Sequence, residues 1–112
     1  MRQPLLVLFA AALVGAFVAP AFAQDAKVAR GAELYGEQKC SLCHAVQGKG
    51  NVKRPLDGVG GHIDAATAKL WLTDPKAAAA MASKKDTVTM KSFANLPPAD
   101  IDALVAYVLS LK

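Results

Sequence analysis

The sequence contains few of the residues on which several protein classes depend. It has only two cysteines and two histidines among 112 residues. Its cations are scattered and do not form the dense basic face that nucleic acid binding requires. No acid–base pair or nucleophile arrangement stands out, so catalysis by the chain itself is not indicated. No long apolar run follows residue 23, which excludes a polytopic membrane protein, and the ordinary apolar content of the remainder excludes a disordered chain.

The first 23 residues are typical of an export signal. A short positive start, Met1-Arg2, precedes an uncharged apolar run over Leu5–Ala19, and Ala21-Phe22-Ala23 supplies the small-x-small pattern that signal peptidases cleave. An uncleaved membrane anchor is the alternative, because the apolar segment is barely long enough to span a bilayer. We expect a signal peptide over residues 1–23, cleavage after Ala23, and one mature domain over residues 24–112 that is exported from the cytoplasm.

The two cysteines lie together in Cys40-Ser41-Leu42-Cys43-His44, the C-x-x-C-H pattern that attaches c-type haem. Each thiol can add across one vinyl group of the porphyrin, and residues three apart share one face of a helical turn. His44 follows directly and can donate an imidazole nitrogen to the iron. The motif predicts one covalently attached haem c, bound by Cys40 and Cys43, with His44 as the proximal iron ligand.

A thioredoxin-like pair, a simple disulfide and a zinc site are the alternative interpretations of the two cysteines. Thioredoxin-like pairs follow a strand in a βαβ unit, and we find no convincing strand in the sequence. A zinc site needs four ligands, and Cys40, Cys43, His44 and His62 lack the paired spacing of such sites. Haem attachment is favoured because export, motif and helical context agree.

The chain resembles class I c-type cytochromes, the small monohaem electron carriers of the bacterial periplasm, over essentially its whole mature length. The resemblance rests on the Cys40–His44 motif, on Met90-x-x-Phe93 near the C-terminus and on a closing amphipathic helix. It implies an all-α fold in which the N- and C-terminal helices cross around one covalently bound haem, with Gly31 allowing the backbones to approach. In that family a methionine from the loop before the last helix is the sixth iron ligand.

Three residues are candidates for the second axial position. Met90 lies in a polar loop similar to the family's methionine loop, although Lys91 stands where a proline often follows the methionine. Met81 lies on an alanine-rich predicted helix, where a methionine is more often a packing residue. His62 follows a glycine-rich turn, where a histidine is ordinarily exposed or locally hydrogen-bonded. We predict Met90 as the distal iron ligand, with Met81 and His62 as the alternatives.

Two backbone carbonyls are candidates for the hydrogen bond that would hold the proximal histidine. Many relatives carry a Gly-Pro pair before a leucine, and the proline carbonyl accepts the second N–H of the histidine, which fixes the ring and raises its basicity. When Leu56 is aligned with that leucine, Pro55 falls one place late and Arg54 takes the proline position. Either the Arg54 or the Pro55 carbonyl would then hold His44.

Apolar periodicity predicts helices at both ends of the mature domain. The face of the first comprises Val28, Gly31, Ala32 and Tyr35, and that of the last comprises Ile101, Leu104, Val105, Val108 and Leu111. Pro98 suits the first turn of the last helix.

Two shorter helices are expected between the terminal ones. One runs from about Ala65 to Leu72 and is capped by Asp64, and another runs from Pro75 to about Ser83 with Asp74 at its start. Trp71 belongs to the first of them and would lie either in the core or against the haem.

With histidine and methionine on both faces of the iron, no position is open for a substrate. The resemblance therefore implies a carrier that cycles Fe(III) and Fe(II) and passes single electrons between redox partners, such as a dehydrogenase, an oxidase or another cytochrome. We expect a monomer that is not an enzyme and has no stable membrane span. Alternatives are a haem subunit of a dehydrogenase complex and a ligand-binding cytochrome with a weak or absent sixth ligand.

The mature domain is mildly basic. The formal net charge of the full chain is +4, and removal of Arg2 with the signal peptide leaves +3. Lysines that surround the exposed haem edge would attract an acidic partner and raise the association rate in a salt-dependent way. The candidates are Lys39, Lys49, Lys53, Lys84, Lys85 and Lys91.

Overall fold

The structure, a computed structural model, describes residues 19–83 and 89–112, with side chains from Phe22 onward. The described residues form four α-helices and one short hairpin. The helices are α1 (Ala19–Glu37), α2 (Ala65–Thr73), α3 (Pro75–Met81) and α4 (Pro98–Ser110), and the strands are β1 (Ala45–Val46) and β2 (Lys49–Gly50). The expected mostly helical fold is confirmed, whereas the hairpin was not anticipated. Residues 1–18 of the expected signal segment, and also Lys84 and Lys85, lie outside the described residues.

Helices α1 and α4 cross at close quarters, as expected. Gly31 of α1 lies directly against the backbone of α4, so that a Cβ atom at this position would overlap the carbonyl oxygen of Ala103 and press on the Cβ of Tyr107. Only glycine permits this approach, because every other residue adds a Cβ that the neighbouring backbone cannot yield to. The crossing therefore joins the two ends of the domain.

The core lies between α4 and the segments packed against it. Leu34 is its most buried side chain, with 1% of its surface exposed, whereas Ala32 is exposed. The predicted inward position of Ala32 is therefore wrong, because α1 meets α4 along a stripe that runs through Gly31 and Leu34. The buried members of this core are Leu34, Ala68, Leu72, Phe93, Ile101, Ala103, Leu104 and Val105.

The two middle helices begin where their capping residues predict. The Asp64 carboxylate accepts the N–H of Thr67 at 2.8 Å, and the Asp74 carboxylate accepts the N–H of Ala77 at 3.2 Å. Each bond satisfies one of the backbone donors that a helix start leaves without a partner. Helix α2 ends one residue later than expected, and α3 ends two residues earlier, at Met81.

The hairpin joins the cysteine motif to the segment that follows it. Its strands pair through Ala45 with Gly50 and Val46 with Lys49. The connecting residues Gln47 and Gly48 have φ values of 51° and 76°, as a two-residue type I′ turn requires. Ala45 also forms a bridge with Pro55, and this bridge fixes the register between the motif and residues 54–56.

Candidate haem attachment site

The two cysteines lie on a short helical turn that follows α1. Lys39 leaves the helix in the left-handed conformation, and Cys40–Leu42 then form a 3₁₀ turn. Side chains three residues apart eclipse each other in a 3₁₀ turn, so Cys40 and Cys43 lie on the same side of the backbone. Both are free thiols, Cys40 half-buried and Cys43 exposed.

His44 is half-buried and hydrogen-bonded through one ring nitrogen. Its Nδ1 lies 3.2 Å from the carbonyl oxygen of Arg54. Because a carbonyl only accepts, Nδ1 is the protonated nitrogen and Nε2 keeps its lone pair for a metal. Of the two carbonyls left open by the sequence, the structure thus brings that of Arg54, and not that of Pro55, to the histidine.

The loop that carries Met90 is attached to the end of α2. The Phe93 N–H donates to the Leu72 carbonyl at 2.7 Å, and the Ser92 hydroxyl donates to the Thr73 carbonyl at 2.9 Å. The Phe93 side chain is buried, and Met90 packs half-buried against the same core. The loop is therefore held by backbone contacts and by an aromatic anchor three residues after the methionine.

The two alternative ligands lie elsewhere. Met81 is 78% exposed at the end of α3, and His62 is exposed after the turn Val59–Gly61. Trp71 is half-buried and lines a cavity of about 200 Å³ between α2 and α3, together with Leu70 and Met81. Of the three candidates for the second axial position, the structure packs only Met90 against the described core.

Residues 28–112 match the family model described as cytochrome c. The chain belongs to the cytochrome c family. It is also 28% identical over 92 residues to the cytochrome c oxidase subunit 2 of Alkalihalophilus pseudofirmus, an alignment that covers 74% of this chain and 25% of that protein. The chain thus matches about a quarter of the length of that relative. No solved structure matches it.

Membership in the cytochrome c family implies covalently bound haem c, electron transport, redox protein partners and a location outside the cytoplasm. The donor set of the structure fits such a group, because two free thiols on one side of a turn precede an imidazole whose Nε2 is available. Within the described ranges no cluster of three or more His, Cys, Asp or Glu side chains could hold a metal ion by itself. No helix of this part of the chain is long and apolar enough to cross a membrane.

Burial disfavours the charged forms of Cys40 and His44. Burial raises the pKa of the Cys40 thiol, an effect that the nearby Lys91 charge partly offsets. Burial also lowers the pKa of His44, which the bond to the Arg54 carbonyl partly counteracts. A neutral imidazole is the form that binds a metal, so the surroundings of His44 favour ligation over protonation.

Two tyrosines lie near Cys40, a proximity that the sequence does not predict. The rings of Tyr35 on α1 and Tyr107 on α4 lie 5.5 Å apart between centroids. The Tyr35 hydroxyl is buried and has no hydrogen-bond partner among the described residues. The signal available in the sequence was the placement of one tyrosine on each of the two crossing helices.

Proposed function

We propose that this cytochrome c is a periplasmic monohaem electron carrier with His44 and Met90 as the two axial ligands. The single C-x-x-C-H motif of the sequence supports one haem. The half-buried position of Met90 against the core supports its choice over Met81, most of whose side chain is exposed. The observation that carries the proposal is the bond between His44 Nδ1 and the Arg54 carbonyl, which leaves Nε2 ready to bind iron.

The residues of the chain would act by holding and enclosing the haem. When bound, haem c supplies one-electron chemistry between ferric and ferrous iron. Cys40 and Cys43 would tether it, His44 and Met90 would ligate the iron, and the loop around Phe93 would keep Met90 in place. Because both residues would ligate the iron, the proposed chemistry is electron transfer without binding of a substrate to iron. Methionine ligation raises the reduction potential relative to histidine ligation.

The surface around the motif suits an acidic redox partner. Residues 38–56 contain no aspartate or glutamate, while Lys39, Lys49 and Lys53 are exposed there. Leu42 and Val52 are 71% and 67% exposed in the same segment. Exposed apolar and basic side chains in one segment favour brief contact with a partner of complementary charge.

We further propose a terminal oxidase as one electron acceptor. The similar protein from Alkalihalophilus pseudofirmus bears the name cytochrome c oxidase subunit 2, which associates a related sequence with an oxidase. A freely diffusing carrier migrates as a monomer on gel filtration, whereas a permanent subunit of a dehydrogenase co-purifies with a larger protein. The proposed export by a signal peptide cleaved after Ala23 is checked by the N-terminal sequence of the mature protein, which should start at Gln24.

The experiment that tests the axial ligands is an optical spectrum of the haem-loaded protein in both oxidation states. We expect a low-spin spectrum with the far-red ferric band of methionine–iron ligation, present in Met81→Ala and His62→Ala and lost in Met90→Ala. Met81→Ala is the matched control because it removes the same side chain from a position at the end of α3. High-spin iron in the parent protein, or loss of the band in Met81→Ala alone, would contradict the proposal.

A further inference from the structure

The backbone next to the proposed distal ligand lacks hydrogen bonds of its own. Neither Met90 nor Lys91 forms a backbone hydrogen bond with another described residue. The first bonds after the methionine are those of the Ser92 hydroxyl and the Phe93 N–H to the end of α2. Apart from the packing of Met90 itself against the core, the attachment of this short segment therefore depends on the side chain of Lys91.

The Lys91 ammonium lies over the face of the Phe93 ring. Its Nζ is 5.1 Å from the ring centroid, within the range of about 6 Å at which the face of an aromatic ring attracts a cation. Lys91 forms no ion pair with any side chain of the described ranges. No carboxylate in that part of the chain therefore draws the ammonium away from the ring.

Phe93 is a fixed partner for this contact. Its side chain is only 7% exposed and packs in the core with Leu72 and Leu104, and its N–H donates to the Leu72 carbonyl at 2.7 Å. The ammonium thus takes its position from a ring that the core already holds. Lysine, unlike proline, does not restrict its own φ, so the restraint at position 91 comes from this side-chain contact.

We propose that Lys91 is a positioning residue for Met90: the contact of its ammonium with the Phe93 ring holds the backbone next to the methionine and so favours methionine ligation over a competing ligand. This inference rests on the proposed function, since it needs Met90 as an axial ligand. Lys91 acts through the loop and not by contact with the iron.

The test is an optical titration of the ferric haem-loaded protein with imidazole, which competes with methionine for the iron. Lys91→Gln keeps a long polar side chain but removes the charge. We expect its affinity for imidazole to rise about twofold to fivefold, as loss of one exposed cation–π contact implies. Imidazole and methionine are both neutral ligands, so the lost lysine charge acts alike on the two states.

Two further variants identify the cation and the ring as the cause. Lys91→Arg keeps a cation that binds an aromatic face and should retain the parent affinity for imidazole. In a Phe93→Leu background, which lacks the ring, Lys91→Gln should add no further effect. If Phe93→Leu does not fold because its buried ring is lost, the comparison of Lys91→Arg with Lys91→Gln still tests whether the cation is required.

The matched control is Lys49→Gln. It removes the same charge from an exposed side chain on β2 that contacts no aromatic ring in the described part of the chain, so it should leave the affinity for imidazole unchanged. The inference is wrong if Lys91→Gln raises that affinity no more than Lys49→Gln does, or if Lys91→Arg raises it as far as Lys91→Gln. An equal effect of Lys91→Gln with and without the Phe93 ring also contradicts it.

Failure of the proposed function has a different signature. In that case the parent protein itself shows no methionine–iron band, or Met90→Ala retains the band. A band that depends on Met90, combined with an unchanged affinity for imidazole in Lys91→Gln, counts against the role of Lys91 alone.

Discussion

Gly31 lies directly against the carbonyl oxygen of Ala103, at the point where α1 crosses α4. This contact brings residues more than 70 positions apart to the same place. The cysteine motif follows α1 and the Met90 loop precedes α4, so the crossing also determines how far the two halves of the candidate site lie from each other. The glycine therefore contributes to the site without belonging to it.

A methyl group at position 31 should destabilise the domain. In Gly31→Ala the new Cβ meets backbone atoms, so the helices must separate, and we expect a loss of about 1–3 kcal/mol in the free energy of unfolding. Gly36→Ala is the matched control, because among the described atoms nothing lies within 4 Å of a Cβ at that position. The free energy of unfolding of Gly36→Ala should rise by roughly 0.5–1 kcal/mol, because alanine favours the helix more than glycine does. Equal effects of both variants in thermal unfolding would contradict the role given to Gly31.

The crossing shows which parts of the fold could be predicted from the sequence. Helix starts were predictable because Asp64 and Asp74 cap them through local hydrogen bonds. On α1, Val28, Gly31 and Tyr35 of the predicted face are buried or half-buried, whereas Ala32 is exposed and Leu34, which was not predicted, is buried. The inward face depends on where α4 approaches, and that is a contact between distant segments.

The candidate site likewise contains residues that the sequence predicts and one contact that it does not. The cysteines and His44 follow from their spacing, because the attachment chemistry is local. The carbonyl that holds His44 could not be chosen between Arg54 and Pro55, since alignment on Leu56 gives no hydrogen-bond register. The bridge between Ala45 and Pro55 decides it, because the Ala45 N–H donates to the Arg54 carbonyl and so brings that carbonyl next to His44.

Loosening the Met90 loop should weaken the proposed methionine ligation. Ser92→Ala removes the hydroxyl bond to the Thr73 carbonyl and the acceptor for the Ala94 N–H. A loss of about 0.5–1.5 kcal/mol corresponds to an increase of about twofold to tenfold in the affinity of the ferric protein for imidazole, which competes with methionine. The measurement is an optical titration with imidazole. Ser110→Ala, which removes a hydroxyl bond at the end of α4, should leave this affinity unchanged.

The start of α2 should contribute to acid sensitivity. The Thr67 backbone N–H, which donates to the Asp64 carboxylate, lowers the pKa of that carboxyl. A lowered folded-state pKa gives stability that is present above the unfolded pKa and is lost as pH falls through the folded value. Asp64→Asn should therefore show a smaller loss of stability between neutral pH and pH 3 than the parent protein. Denaturant titrations at each pH measure this loss, and an equal loss in Asp64→Asn and in the parent protein would contradict the contribution of Asp64.

The tyrosine pair should titrate late at alkaline pH. Burial raises the pKa of both Tyr35 and Tyr107 above the ordinary value of about 10. The associated stability is present below the unfolded pKa and is lost as pH rises through the folded value. Tyrosinate absorbance in the folded protein should thus develop at a higher pH than in the denatured protein. Coincident titration curves would show that the two hydroxyls are not protected.

Removal of the Tyr35 hydroxyl should not weaken the domain. That hydroxyl is buried without a partner among the described residues, and a buried polar group without a hydrogen bond is a cost and not a gain. Tyr35→Phe keeps the ring against Tyr107 and should be at least as stable as the parent protein. Tyr35→Leu loses the ring pair as well and should be less stable by about 0.5–1.5 kcal/mol. The measurement is denaturant unfolding of the haem-loaded protein. If Tyr35→Phe lost as much stability as Tyr35→Leu, the hydroxyl would have to bond to a group supplied with the haem. Tyr35 would then join the residues that hold the haem.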